Sequence, residues 1–257
     1  MKQPLTGKTV VVTRAAEQAG ELIATLKHAG AEVIHLPTIE FSEPDSWQPC
    51  DHAIARLHEY DWVVYTSANG VRRFHQRLEK NGKSAADLRT KKIAAVGERT
   101  RAELQTSGVL AELVPESFSA EGLVESFRSL DVNGKWFLYP KAQQGREIVE
   151  KGLLGYGAQV HAVAVYKTHA PGKNPLAEQM KSQRVDLLTF TSPSTFRNLL
   201  GVCGREKLIA WKNSGCAFAA IGRVTADAIA QYDFTVDILP PQATVASFVT
   251  AISEYYS

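Results

Sequence analysis

Two polar turns in this sequence carry hydroxyl side chains directly after short apolar runs. The first turn contains Thr66, Ser67 and Asn69, and the second contains Ser192 and Ser194. Each preceding run is rich in Val, Leu and aromatic residues and has the length of a strand buried on both faces. Side-chain oxygens at such positions accept hydrogen bonds from the free N–H groups of a following helix. We therefore predict that both turns are helix N-caps, with Ser67, Asn69 and Ser194 among the acceptors, where an anion can also bind.

Basic side chains follow several of the predicted strands closely. They are Arg14, Arg99, Arg101, Lys141, Arg146, Arg197 and Arg223. Such side chains can clamp carboxylate or phosphate groups. The alternative for each of them is ordinary solvated charge, and the turn hydroxyls, with Thr100 and Thr225, can equally be plain helix caps. The pattern predicts a site for an anionic ligand without fixing its contacts.

Motifs for other kinds of chemistry are incomplete. The segment Gly82-Lys-Ser84 resembles the end of a nucleotide phosphate loop, but Arg77 stands where that loop needs its first glycine. Ser192 does not lie between glycines, so it is not in a nucleophile elbow. No pair of the seven histidines has the close spacing of metal ligands, and Cys50 and His52 lack further ligands nearby. The sequence thus predicts neither a cofactor nor a metal.

Composition narrows the class of protein further. The 257 residues suffice for one large domain or two ordinary ones, and no apolar stretch approaches the ~20 residues of a membrane span. The net charge of +2 is too small to indicate a nucleic-acid-binding face. Three widely spaced cysteines favour free thiols over disulfides. Because no signal peptide is recognisable at the N-terminus, we expect a cytoplasmic protein.

An internal repeat organises the chain. The block that begins at Gly7 recurs at Gly134, and the block that begins at Asp61 recurs at Asp186. In each block apolar runs of strand length alternate with helical patterns, which predicts parallel, doubly wound sheets. The repeat has the length of a flavodoxin-like domain. We therefore predict two α/β domains, while the repeat leaves open which copy of the first block pairs with which copy of the second.

The same patterns predict the ends of the elements. Residues 111–115 and 236–240 are expected to be the strands that close the two sheets, and residues 120–130 and 243–256 the terminal helices. A further helix is expected to begin at about Gln144.

Five segments together resemble uroporphyrinogen-III synthase, and the resemblance covers essentially the whole chain. They are Asp61-Trp-Val-Val-Tyr-Thr-Ser-Ala-Asn-Gly-Val71, Ala95-Val-Gly-Glu-Arg-Thr100, Val165-Tyr-Lys-Thr168, Thr189-Phe-Thr-Ser-Pro-Ser194 and Ala220-Ile-Gly-Arg-Val-Thr-Ala226. The order and spacing of the segments make the combination specific. The sequence departs from the family at Arg223, where members often have proline, and at Lys141, where many bacterial members have arginine. Both departures preserve the potential for anion binding.

The resemblance implies two flavodoxin-like, doubly wound parallel-sheet domains joined by a two-stranded linker. Residues 1–36 and 170–257 would form domain 1, residues 42–163 would form domain 2, and residues 37–41 and 164–169 would be the linker strands. This assignment pairs the first block of one copy with the second block of the other. It also places the two polar turns on opposite walls of one cleft.

The resemblance further implies a cofactor-independent cyclising lyase of haem biosynthesis. Such an enzyme converts linear hydroxymethylbilane, which carries eight carboxylates, into uroporphyrinogen III with loss of water and inversion of ring D. We expect a monomer that binds this small molecule and neither nucleic acid nor membranes. Two alternatives remain on the residues alone, a two-lobed protein that only binds an anion and a nucleotide-sugar transferase. The transferase would need a phosphate-binding site that the sequence does not show.

Site residues follow from matching these motifs. Tyr166 matches the family's linker tyrosine and is the catalytic candidate, helping the hydroxyl group on ring A to leave; the alternative is an aromatic residue that only lines the cleft. Thr225 matches a family threonine at a helix start, for which we predict binding and capping. The full set of predicted substrate-binding residues is Arg14, Thr66, Ser67, Ala68, Gly97, Thr100, Lys141, Arg146, Ser192, Ser194, Arg223 and Thr225.

Overall fold

The computed structural model describes residues 3–169, 171 and 183–257. Its chain divides into two compact units: unit 1 is Met1–Glu40 with His169–Ser257, and unit 2 is Phe41–Thr168. Residues 170 and 172–182 of the predicted domain 1 lie outside the described residues. Within the described residues, no helix is both long and apolar enough to cross a membrane.

Strands and helices alternate along most of the chain. Up to residue 169 the elements are β1 (Thr9–Val12), α1 (Ala16–His28), β2 (Glu32–His35), β3 (Glu40–Ser42), α2 (Gln48–Ala55), β4 (Trp62–Tyr65), α3 (Ala68–Lys80), β5 (Lys92–Ala95), α4 (Glu98–Thr106), α5 (Ala120–Ser126), β6 (Trp136–Ala142), α6 (Ile148–Gly155) and β7 (Gln159–His169). After residue 182 they are β8 (Leu187–Phe190), α7 (Pro193–Cys203), α8 (Arg205–Asn213), β9 (Ala217–Ala220), α9 (Arg223–Ala230) and α10 (Val245–Tyr255). Short 3₁₀ helices at Leu57–Glu59 and Ala85–Leu88 flank β4 and α3.

Each unit is built on one sheet. In unit 1 the strand order is β2-β1-β8-β9, and in unit 2 it is β3-β7-β6-β4-β5. Strand β1 pairs in parallel with β8, and β4 pairs in parallel with β6. The first block of each repeat copy therefore pairs with the second block of the other copy.

Both faces of each sheet are covered, as a doubly wound fold requires. On β4, Val63 and Tyr65 belong to one buried apolar cluster, while Trp62 and Val64 belong to another. On β8, Leu187 and Leu188 likewise belong to different clusters. Because successive side chains of a strand point to opposite faces, each sheet separates two apolar cores. The predicted α/β fold class is confirmed.

The repeated aspartates have a structural role. The Asp61 carboxylate accepts a hydrogen bond from the backbone N–H of Trp136, and the Asp186 carboxylate accepts one from that of Thr9, both at 2.9 Å. Each aspartate precedes a central strand and binds the start of the neighbouring strand. This contact fixes the register at the amino ends of the strands, away from the polar turns.

Several predicted boundaries differ from the structure. The segments 111–115 and 236–240 contribute only isolated bridges, Leu113 to Ala94 and Ile238 to Ala219. The helix expected from about Gln144 begins at Ile148, because the chain is still paired with β7 at Gln143, whose N–H binds the Tyr166 carbonyl at 2.8 Å. Residues 164–169 continue β7 without a break. Helices α2 and α8 were not foreseen, and the terminal helix expected over 120–130 ends at Ser126.

Packing of α6 against α5 gives a prediction for stability. A Cβ atom at Gly152 would lie 2.3 Å from Cγ1 of Val124, and the branched valine cannot swing away. We expect Gly152→Ala to lower the free energy of unfolding by about 1–3 kcal/mol. Gly155→Ala is the matched control, because a Cβ there meets nothing within 4 Å and alanine favours the helix. Urea denaturation measures both, and equal midpoints for the two variants would contradict the packing argument.

Buried His75 predicts a pH dependence. The side chain lies on α3 with its Nε2 3.4 Å from the Tyr65 hydroxyl, and burial lowers its pKa from 6.5 to about 4. The unfolded state therefore binds more protons between these values, so stability is lost as pH falls from about 6.5 to about 4. Relative to His75→Phe, which cannot titrate, the wild type should lose about 2–3 kcal/mol over this range. Parallel stability curves for the two proteins, from urea titrations at several pH values, would show that His75 is not the cause.

Candidate functional site

A cavity of about 320 Å³ lies in unit 2. Its lining comes from the segments that follow β4 and β5, from β6 and the segment after it, from β7, and from the starts of α5 and α6. In a parallel sheet the carboxyl ends of the strands meet at one edge, where ligands bind in this class of fold. Among its lining side chains are Thr66, Ser67, Tyr139, Lys141, Arg146 and Tyr166.

The Ser67 side chain contacts both α3 and β7. It is the N-cap of α3, where its Oγ accepts a hydrogen bond from the Gly70 N–H at 2.9 Å. The same Oγ lies 3.0 Å from the hydroxyl oxygen of Tyr166, with either group able to donate. The predicted capping role of Ser67 is confirmed, and the hydroxyl also contacts the catalytic candidate.

Tyr166 lies on β7 with 7% of its surface exposed. Burial raises the pKa of its phenol, while the hydrogen bond with Ser67 acts in the opposite direction. The ring of Phe41 packs against it edge-on, with 5.7 Å between ring centres. At neutral pH this side chain is therefore a protonated, well-positioned hydrogen-bond donor at the cavity wall.

A second hydroxyl pair lies beside the first. The Thr66 hydroxyl is 2.9 Å from that of Tyr139, whose pKa burial raises to about 12. Sequence reasoning missed Tyr139, because its place in the cavity depends on the pairing of β6 with β4. Its position as the last apolar-run residue before Pro140 was the available signal.

The two cations of the cavity are already paired. Lys141 and Glu150 form an ion pair with 2.5 Å between Nζ and Oε1, and both side chains are largely buried. Arg146 binds Glu121 at 2.9 Å in an exposed pair. A ligand carboxylate must therefore share or displace these acidic partners to bind Lys141 or Arg146. Sequence reasoning did not identify Glu150 as part of this arrangement.

The other predicted residues of unit 2 lie at helix starts. Ala68 is the first residue of α3, and Gly97 is the N-cap of α4. Thr100 is buried inside the first turn of α4 and gives no side-chain cap. Asn69 also lies inside α3, where its Oδ1 accepts from Arg72 at 3.0 Å. The capping interpretation is wrong for Thr100 and Asn69, since the helices begin earlier than these residues.

The predicted residues of unit 1 show the same arrangement. Ser192 is the N-cap of α7, and its Oγ accepts from the Thr195 N–H at 3.3 Å. Ser194 lies inside that helix and contacts the Ser192 hydroxyl at 2.9 Å, so its predicted capping role is wrong. Thr225 is buried in the first turn of α9, whose N-cap is Gly222 without a side-chain cap. Capping by Thr225 is therefore also wrong.

The basic residues elsewhere make local contacts. Arg14 follows β1, and its Nε lies 3.4 Å from Oε1 of Gln18. Arg223 begins α9 and pairs with Asp227 at 3.0 Å in an exposed position. The remaining predicted cations, Arg99, Arg101 and Arg197, do not line the cavity of unit 2.

The described residues also show whether a metal site is present. Within residues 3–169, 171 and 183–257, no three side chains of His, Cys, Asp or Glu come together as a set of metal ligands. The chemistry available at the cavity comes from hydroxyls, phenols and paired charges.

Solved structures with this fold are known. A chain from Thermus thermophilus described as a mutant uroporphyrinogen III synthase matches with a TM-score of 0.71 at 17% identity, covering 96% of this chain and 98% of that one. A uroporphyrinogen-III synthetase from Helicobacter pylori matches with a TM-score of 0.61 at 16% identity, over 99% and 100% of the two chains. These likenesses establish the fold.

Sequence relatives establish the family. The family model described as uroporphyrinogen-III synthase HemD matches residues 20–250. A uroporphyrinogen-III synthase of Synechococcus elongatus is 35% identical over 99% of this chain and 97% of its own length. A protein of the same name from Chlorobaculum parvum is 27% identical over 96% and 98%. With a family match along most of its length and a relative at this identity, the chain belongs to the uroporphyrinogen-III synthase family.

Proposed function

We propose that this protein cyclises hydroxymethylbilane to uroporphyrinogen III, with loss of water and inversion of ring D. Family membership along nearly the whole chain supports the assignment. The single structural observation that carries it is the contact between Ser67 and Tyr166, two motif residues far apart in sequence whose hydroxyls meet at 3.0 Å in one cavity. This places a proton donor beside a helix N-terminus that can receive a carboxylate.

Tyr166 supplies the proton in this proposal. Loss of the hydroxyl group from ring A leaves an electrophilic carbon, and protonation of that hydroxyl lets it depart as water. The raised pKa of Tyr166 keeps the phenol protonated until this step. The substituted carbon of ring D then attacks to give a spiro intermediate, which fragments and closes again with ring D inverted. The proton lost when the pyrrole carbon regains aromaticity balances the one that Tyr166 donated.

Positioning is the larger part of catalysis. Unassisted closure of the bilane gives the uninverted isomer, so the protein must hold the chain in the geometry of the harder attack. Thr66, Ser67, Lys141 and Arg146 line the cavity and bind substrate carboxylates in this proposal. Hydroxyls and helix N–H groups adapt to several carboxylates better than a compact cluster of unpaired cations.

The remaining predicted site residues are part of the same proposal. In unit 2 they are Ala68, Gly97 and Thr100, and in unit 1 they are Arg14, Ser192, Ser194, Arg223 and Thr225. Their place at strand ends and helix starts supports a role in binding carboxylates. The linker assignment of residues 37–41 and 164–169, the monomeric state and the cytoplasmic location stay predictions.

The reaction itself can be tested by product analysis. Purified protein is supplied with hydroxymethylbilane, the product is oxidised, and the isomers are separated by chromatography. We expect the type III isomer to predominate, whereas a control without protein gives type I by unassisted closure. A mixture that contains only type I would show that the chain is not a synthase.

Substitution of Tyr166 tests the proton donor. Tyr166→Phe removes the hydroxyl and keeps the ring, so we expect kcat for type III formation to fall roughly 100-fold with the fold preserved. Tyr60→Phe is the matched control, because it also removes a buried phenol hydroxyl. That hydroxyl lies 2.6 Å from Nδ1 of His161, and Tyr60 does not line the cavity. Both variants should unfold within about 1 kcal/mol of the wild type. Wild-type turnover in Tyr166→Phe would show that Tyr166 lines the cavity without donating a proton.

A further inference from the structure

Phe118 is an exposed aromatic residue at the rim of the cavity. Its side chain is among the lining residues, yet 62% of its surface is open to solvent. It lies in the short loop before α5, next to the N-cap Ser119. A large apolar side chain left in water at the edge of a polar cavity gains free energy when a ligand covers it.

The Phe118 side chain lies against the backbone at Gly97. A Cβ atom at position 97 would lie 3.2 Å from both Cβ and Cγ of Phe118, closer than an ordinary van der Waals contact. The absence of a side chain at the start of α4 thus lets the phenyl group approach the backbone closely. This close approach places the phenyl ring against the start of α4, beside the cavity.

The repeat shows that the loop does not need a phenyl group. In unit 1 the equivalent of Gly97 is Gly222, and the equivalent of Phe118 is Ala243. The geometry is the same, since a Cβ at Gly222 would lie 3.1 Å from that of Ala243. The next residue, Thr244, caps α10 as Ser119 caps α5. Alanine therefore suffices for this loop and cap in unit 1, so the loop and the cap do not by themselves require the phenyl ring of unit 2.

We propose that Phe118 binds the substrate by packing against one of its pyrrole rings at the mouth of the cavity. This inference rests on the proposed function, because it takes hydroxymethylbilane as the ligand. A pyrrole is a flat, electron-rich ring of the kind that aromatic side chains contact in stacked or edge-on geometry. The carboxylates on the same ring can then reach Ser67 and Lys141, which line the same cavity.

The proposal divides the recognition of one pyrrole unit between two kinds of contact. Hydroxyls and charges bind the carboxylate substituents, whereas Phe118 binds the ring to which they are attached. Since the ring contact is made before and during the reaction, it contributes uniform binding and acts on KM more than on kcat. This separates Phe118 from the proton donor Tyr166.

The test uses Phe118→Ala, with Leu110→Ala as the matched control. Leu110 is 71% exposed in the same unit and does not line the cavity. For type III formation by Phe118→Ala we expect KM to rise roughly 3- to 10-fold with kcat and the thermal midpoint close to wild type. Phe118→Tyr, which keeps an aromatic ring, should have the wild-type KM. Leu110→Ala should also have the wild-type KM.

The results distinguish failure of the pyrrole contact from failure of the proposed synthase activity. If the wild type makes type III and Phe118→Ala keeps KM within about twofold, the pyrrole contact is overturned while the synthase assignment stands. An equal rise of KM in Leu110→Ala would also overturn it, because loss of any exposed apolar group would then suffice. If the wild type makes only type I, the proposed function itself fails and this inference fails with it.

Discussion

The Ser67 hydroxyl is the contact on which the site of unit 2 depends. Ser67 lies two residues after β4, and its hydroxyl caps α3 by accepting the Gly70 N–H and contacts Tyr166 on β7. The glycine allows this arrangement, since a Cβ at position 70 would lie 3.2 Å from the carbonyl oxygen of Pro140 on β6. The start of α3 is thereby held close to three strands at once. In the proposed reaction the Tyr166 phenol delivers a proton to one atom of a flexible substrate, and such a transfer needs rigid support.

The charge arrangement of the cavity suits the polyanionic substrate of the proposed function. An unpaired lysine in the cavity would bind carboxylates strongly in any orientation, which would favour several binding modes of a ligand with many carboxylates. Glu150 neutralises Lys141 at 2.5 Å, so a carboxylate gains little from that cation alone. In the proposed function, directional N–H and O–H donors at helix starts would then select the orientation that is bound. The net charge of +2 agrees with recognition by local groups and not by a basic face.

Sequence predicted the parts of the structure that local signals determine. The buried runs before Thr66 and Thr191 form strands, and Ser67 and Ser192 cap the following helices, because both features are set by neighbouring residues. The predicted capping by Asn69 is wrong, because Ser67 already accepts the Gly70 N–H and α3 begins at Ala68. Tyr139 escaped notice for a related reason. Its hydroxyl reaches Thr66 only because β6 lies beside β4, and that register is a property of the whole sheet.

Comparison of the two repeat copies shows where the chemistry of the site is concentrated. Both copies keep a serine cap after the central strand and a hydroxyl cap on the last helix, so these groups serve the fold whether or not they also bind a ligand.

The aromatic positions differ between the copies. Tyr139 corresponds to the buried Val12, and Tyr166 corresponds to Ile39. A phenol in place of an aliphatic side chain adds a hydrogen-bonding group to a site that is otherwise built the same way, and it costs burial of a polar atom unless a partner is present. Thr66 and Ser67 are those partners. The equivalent hydroxyl in unit 1, Ser192, faces no such demand, because it is engaged with Thr195 and Ser194 within its own turn. The two units therefore share the capped turns, and the tyrosine hydroxyls that contact Thr66 and Ser67 distinguish the turn of unit 2.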